Sequence, residues 1–284
     1  MKSSTREKRA AACASRAVRI LLILVSLLML YPLIWNVYSS FKTNQEFLGN
    51  AFSLPASLEW DNYARAISKS RLPENVGNSL LLIAVTLTVM VLCVIPCSYC
   101  LARYRFFGAK MLLHVQMAAI FIQATVIMVP LFLQMNMLGW LNNRLALGVL
   151  YATMQFPFSI FLLCGFLRSV PADYDEAAMI DGCGPLKTLL YVVAPMARAG
   201  LITIGMITAM SVWNEYPMAL VMLTDPGKQT LPVGLAVLYE VQRYATDWTA
   251  LFAALVLALI PTLLLFLTGQ KQLIQGMNMG GLKG

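Results

Sequence analysis

"NSLLLIAVTLTVMVLCVIPCSYCLA" (residues 78–102) contains no Asp, Glu, Lys or Arg. Wound as an α-helix at 1.5 Å per residue it reaches ~37 Å, enough to cross a hydrocarbon core ~30 Å thick. Five more stretches share this character, near residues 20–40, 111–135, 145–167, 201–223 and 248–268. Across all six, Glu215 is the one charged residue. The whole chain is 59% apolar and only 12% charged, outside the usual globular mix. The expected fold class is an all-α polytopic membrane protein of six transmembrane helices, embedded in a lipid bilayer.

Lys and Arg set the expected orientation. Six crossings put both termini on one side. Fourteen basic residues fall there, beginning with Lys2, Arg6, Lys8 and Arg9 and ending with Lys271 and Lys283. Seven fall on the other side, balanced by seven acids. Both termini are therefore expected in the cytoplasm, and the net charge of +8 reports topology rather than a nucleic-acid partner. The apolar core of the first stretch is too long for a cleaved signal and lacks an A-x-A-like site, so it reads as a retained signal-anchor.

Four regions follow: a basic cytoplasmic tail (1–19), the first span with a long outer loop (20–77), a transmembrane core (78–270) and a cytoplasmic tail (271–284). The outer loop holds "LEWDNYARAI", a short amphipathic helix for the membrane surface. The outer segment 224–247 carries the turn signal "TDPGKQ". None of the six cysteines lies in an outer loop, so no disulfide framework is implied. Cys97 and Cys100 form a C-x-x-C inside a span. Metal binding needs more ligands than they and the lone His114 supply, and core packing is the expected role.

The long inner segment 168–200 contains "EAAMIDGCGPLKT" (residues 176–188), close to a phosphate loop. G-x-x-x-x-G-K-[ST] requires a glycine before the lysine; Leu186 stands there, and Pro185 lacks the N–H a phosphate cradle uses. ATP binding by this segment is rejected. Two short helices fit better. Asp173, Asp175 and Glu176 open the first, favoured by the helix dipole. Gly182 ends it with positive φ. Pro185 opens the second, and Pro195 closes it. Ala177 and Ala178 are small enough for a partner's backbone to approach. The spacing equally allows an interfacial helix packed under the protein's own bundle.

The same residues resemble the "EAA" loop of ATP-binding-cassette (ABC) importer permeases. Glu176, Ala177, Ala178, Asp181, Gly182 and Pro195 stand at that motif's positions, with Cys183 and Ala194 as departures. "NEYPMAL" after Trp213, "QTLPVGL", the final "GGLKG" and "YPLIWNVYSSFKTNQEF" with "LEWDNY" resemble the maltose-permease-like, carbohydrate branch. The resemblance implies the type I importer permease fold, with segment 168–200 as the coupling loop that docks on an ATP-binding subunit. It implies a second permease subunit, two ATP-binding subunits and an extracellular or periplasmic sugar-binding protein. ATP and Mg are then expected on the partner ATPase, with no cofactor, metal or catalytic residue on this chain. The expected location is a bacterial or archaeal cell membrane.

A carboxylate inside a span is costly unless it faces a wet cavity or a partner, which marks Glu215. Thr208, Ser211 and Glu215, continued by Met218 and Met222, share one face of a continuous helix. Trp213 and Asn214 neighbour them. Gln116, Gln123 and Gln134 are separated by nearly whole turns and share a face of the third span; their amides suit hydroxyl-rich solutes. Tyr151, Gln155 and Ser159 form a weaker group. The alternative for each set is interhelical hydrogen bonding, and for Trp213 aromatic packing. Rival functions are an importer for another small polar solute, an ion-driven transporter working through Glu215, and a scaffold whose inner segment tethers a cytoplasmic protein.

Overall fold

Hydrocarbon offers no water to backbone amides, so an apolar chain closes its hydrogen bonds within helices. The computed structural model describes residues 3–245 and 247–281, and every regular element among them is helical. Lys2, Lys283 and the last three residues of "GGLKG" lie outside the described residues. In chain order the first helices are α1 (Ser3–Ser39), α2 (Asn44–Gly49), α3 (Asp61–Lys69), α4 (Leu72–Arg103), α5 (Ala109–Ala119), α6 (Met128–Met137) and α7 (Arg144–Ser169). Then follow α8 (Asp173–Ile180), α9 (Pro185–Thr188), a π-turn at Leu189–Val193, α10 (Ala194–Met196), α11 (Arg198–Trp213), α12 (Pro217–Met222), α13 (Leu231–Ala245) and α14 (Trp248–Gly281).

Among the described residues four segments are long and apolar enough to cross a bilayer: Ser15–Ser39, Leu72–Arg103, Arg144–Ser169 and Trp248–Gln270. The other two predicted spans are interrupted, which corrects the expectation of six uninterrupted helices. Residues 111–135 divide between α5 and α6, with turns over residues 120–127. Residues 201–223 divide between α11 and α12 at residues 214–216. Pro217 explains the second break. It opens α12, and its ring collides with the carbonyl four residues back, which belongs to Trp213, where α11 ends. Pro130 stands in the first turn of α6, where proline is tolerated but prevents the helix from extending backward.

The chain divides into two compact units. One comprises Met1–Ser70 and Leu238–Leu257. Its centre is Lys42, which is fully buried. The ammonium donates to the carbonyls of Asn50 (3.2 Å) and Ala51 (2.9 Å) and lies 5.2 Å from the Tyr38 ring centroid. Burial pushes its pKa down, opposed by the nearby Glu46 carboxylate. Glu46 closes a capping box with Thr43 at the start of α2, and the Thr43 amide holds its carboxyl below the usual range. The predicted amphipathic helix is α3. Its inner positions Asn62 and Ala66, with Ser70 just past its end, recur every four residues and are buried. Asn62 Nδ2 bonds the carbonyls of Ser40 and Lys42, both at 2.8 Å.

The second unit, Arg71–Val237 with Ala258–Gly284, is built on α4 packed against α7. Met90, Val94, Tyr99 and Leu101 of α4 join Ala152, Ile160, Leu163 and Leu167 of α7 and Ile204 of α11 in one apolar core. Gly148 permits the approach. A Cβ there would stand 2.7 Å from Val85 Cγ1 and 2.9 Å from Val85 Cβ, and the Gly148 carbonyl accepts from Thr86 Oγ1 at 3.0 Å. Cys97 and Cys100 are exposed on the opposite side of α4, beside exposed Cys93, so core packing is not their role. Their i, i+4 and i+7 spacing places all three on one face of α4.

Gly148→Val should force α4 and α7 apart and cost about 1–3 kcal/mol. Thermal unfolding of the detergent-purified protein checks this, with Val85→Ala restoring part of the loss.

Candidate functional site

Two clusters in the second unit carry polar chemistry. The first is the elbow formed by α8 and α9. Gly182 adopts φ +78°, Cys183 N–H bonds the Ala178 carbonyl (2.9 Å), and Gly182 N–H bonds the Met179 carbonyl (3.0 Å). This is a Schellman ending, matching the predicted stop. The second helix departs from expectation: it does not close at Pro195 but runs on through α10 to Met196. Proline leaves the carbonyl four residues earlier unpaired, and the preceding turn widens to a π-turn over Leu189–Val193. The helical stretch Pro185–Met196 then meets α11 at a bend of 80°.

Glu176, Ala177, Asp181, Gly182 and Pro195 are exposed, but Ala178 is buried. Only one of the two alanines therefore faces outward; Ala178 lets α8 sit close on its own chain. Around them Met179, Ile180, Leu186, Leu190 and Tyr191 expose an apolar surface, with Ile180 at 87% and Tyr191 at 77%. Asp175 turns the other way. It is buried, its Oδ1 accepts from the Tyr99 hydroxyl at 2.7 Å, and its Oδ2 lies 3.0 Å from Arg103 Nε. The sequence reading treated Asp175 only as a favourable charge near a helix start. Its partners lie on α4, more than seventy residues away, and no local pattern points to them.

The second cluster joins α7 to α11 and the break beyond it. The Tyr151 hydroxyl donates to Glu215, and Gln155 Nε2 donates to Ser211 Oγ at 2.8 Å. Both pairs are four residues apart along each partner, so two rungs one turn apart connect antiparallel helices. Glu215 also caps α12, accepting from Met218 N–H (2.8 Å) and Ala219 N–H (3.0 Å). These are among the amides a helix start leaves without intrahelical partners. The carboxylate thus serves as the joint of the broken span.

The expected one-face stripes do not survive the breaks. Thr208 and Ser211 lie on α11, Glu215 lies between helices, and Met218 and Met222 lie on α12. Thr208, Met218 and Met222 are buried, with Thr208 Oγ1 on Met90 Sδ at 3.2 Å. Trp213 is buried, so it packs rather than offering a stacking face. Ser211 and Asn214 are exposed. Gln116 is on α5, Gln123 in the turns and Gln134 on α6, so helical spacing no longer puts them on one side.

The sequence profile of the "Binding-protein-dependent transport system inner membrane component" family matches residues 15–279. The chain belongs to that family. This inner membrane component is 34% identical over 260 residues to the diacetylchitobiose uptake system permease protein NgcG of Streptomyces coelicolor, covering 92% of this chain and 86% of that one. It is 33% identical over 275 residues to the trehalose/maltose transport system permease protein MalG of Thermococcus litoralis, covering 94% and 97%. A crystal structure of a bacterial ABC transporter involved in the import of the acidic polysaccharide alginate contains a similar chain. Its TM-score is 0.82 at 26% identity, covering 93% of this chain and 97% of that one. This inner membrane component is therefore a multi-pass transport subunit with the ABC importer permease fold, not an enzyme.

Glu215→Ala should strip three donors of their acceptor, at about 1–3 kcal/mol for each left buried and unpaired. A lowered unfolding temperature, larger than that of Gln155→Ala, is the expected outcome in a detergent melt.

Proposed function

We propose that this chain is one of two permease subunits, in a heterodimer, of an ATP-driven carbohydrate importer. It translocates a sugar or oligosaccharide delivered by an extracellular binding protein. Six crossings, two of them by broken helices, put both termini in the cytoplasm of a bacterial or archaeal cell. Two separate ATP-binding subunits hold ATP and Mg beneath the elbow. The names of the relatives, which concern diacetylchitobiose and trehalose/maltose, support a sugar as the cargo.

The observation that carries the reading is the elbow itself. An exposed apolar surface of this kind fits a contact with another protein or with the membrane surface, and the resemblance to the EAA loop favours the protein. The Glu176-Ala177-Ala178 run begins one residue after the buried Asp175, and the glycine-ended turn sets its angle. ATP shifts the conformational balance only if the ATP-binding subunits contact the elbow differently in the two states. Within the membrane, Ser211, Asn214 and Glu215 with Gln155 form the candidate translocation path, and Gln116, Gln123 and Gln134 are its second candidate group. Thr208 and Trp213 support it from behind. An ion-driven mechanism needs a carboxylate free to exchange its ion. Glu215, already held by three donors, favours the ATP-driven reading.

Gly182→Val introduces a β-branched residue at positive φ, costing roughly 1–2 kcal/mol of backbone strain and misaligning the elbow. In proteoliposomes holding the assembled importer, uptake of the sugar retained by its capture protein should fall at least tenfold while ATP hydrolysis persists. Uptake and sugar-stimulated hydrolysis both at the original level would overturn the role.

A further inference from the structure

α4 is gripped by polar contacts at both ends. At its carboxyl end Tyr99 and Arg103 hold the buried Asp175 of α8. The Arg103 and Asp175 side chains are only 11% and 8% exposed. At its amino end Asn78 Nδ2 donates to the carbonyls of Gly227 (3.1 Å) and Gln229 (2.9 Å), and Ser79 Oγ accepts from Leu231 N–H (2.9 Å). Arg144 of α7 donates to Asn78 Oδ1 and fixes that amide's orientation. The two grips are twenty to twenty-five residues apart on one continuous helix that also holds Pro96, roughly 30–38 Å at 1.5 Å per residue.

We propose that Asp175 is a positioning residue that yokes the coupling elbow to α4, and that α4 is the strut carrying elbow movement to the outer segment 227–231. The inference rests on the elbow being the site where an ATP-binding subunit docks. The physical argument is stiffness. A helix transmits displacement along its axis only if both ends are attached to what must move. Contacts in a low-dielectric setting are stronger and more directional than the same contacts in water. A chain of such contacts can couple distant sites when it ties both to one element with two arrangements. Each grip joins α4 to another element. Asp175 lies in the first turn of α8, where Glu176 and Asp173 already supply dipole charge, and Ser79 takes up the amide of Leu231, the first residue of α13.

The test uses the assembled importer in proteoliposomes, with an environment-sensitive fluorophore on Lys228→Cys in the outer segment and ATP plus vanadate as the only added probe. A second preparation carries Ile180→Cys for crosslinking to the ATP-binding subunit. In the otherwise unaltered importer the crosslink forms and the fluorophore spectrum shifts with nucleotide. Tyr99→Phe removes one hydrogen bond and keeps the ion pair, so it folds even if Asp175→Asn does not. It should reduce the shift at least fivefold while the Ile180→Cys crosslink persists. Ser79→Ala should do the same from the other end, and Tyr99→Phe with Ser79→Ala together should be no worse than either alone. A full shift in Tyr99→Phe with the crosslink intact overturns the strut, as does an unresponsive label in the unaltered importer. Losses that multiply in the double variant also overturn it. Failure of the Ile180→Cys crosslink in the unaltered importer instead overturns the docking reading beneath it.

Discussion

Every backbone amide at membrane depth must find its acceptor inside the protein. Continuous helices such as α4 and α7 meet most of that demand alone, with Pro96 and Pro157 as the local exceptions. The demand becomes visible where a helix stops. At residues 214–216 the chain leaves the helical path because Pro217 cannot sit below the Trp213 carbonyl. The amides freed at the start of α12 are taken up by Glu215, whose charge is in turn steadied by Tyr151. A carboxylate that looks anomalous in an apolar stretch is thus placed where it resolves a backbone problem. Its neighbours Ser211 and Asn214 are left exposed beside it.

The elbow follows a different logic. Its exposed face mixes apolar side chains with the charged Glu176 and Asp181, and its buried face carries one carboxylate among apolar neighbours. Asp175 is inside with Arg103 and Tyr99, while Ile180 and Tyr191 are outside. Removing one partner of such a buried pair is costly, because the other charge stays desolvated. The arrangement attaches α8 to α4 and leaves Ile180 and Tyr191 exposed. Family membership makes the chain the inner membrane component of a binding-protein-dependent transport system.

Helix interruptions were the least legible feature of the chain. Pro32, Pro96, Pro157 and Pro261 lie within continuous helices, whereas Pro217 begins a new one. Proline alone therefore does not announce a break. The Gln116, Gln123 and Gln134 spacing looked helical for the same reason: periodicity assumes an unbroken axis. Cys97 and Cys100 failed differently. Apolarity in a span says that a residue avoids water, not whether it meets protein or lipid.

Local chemistry was readable wherever one residue's constraint acted on its own neighbours. Gly182 declared a left-handed helix ending, "LEWDNYARAI" declared a one-sided helix, and the uncharged runs declared the membrane. Leu186 stands where a phosphate loop needs glycine. Contacts between distant residues were decided only in three dimensions: Asp175 with Tyr99 and Arg103, Tyr151 with Glu215, and Ser79 with Leu231. The physical reason is that backbone conformation and transfer from water are properties of a short stretch, whereas a hydrogen-bond partner is chosen by which helices pack together.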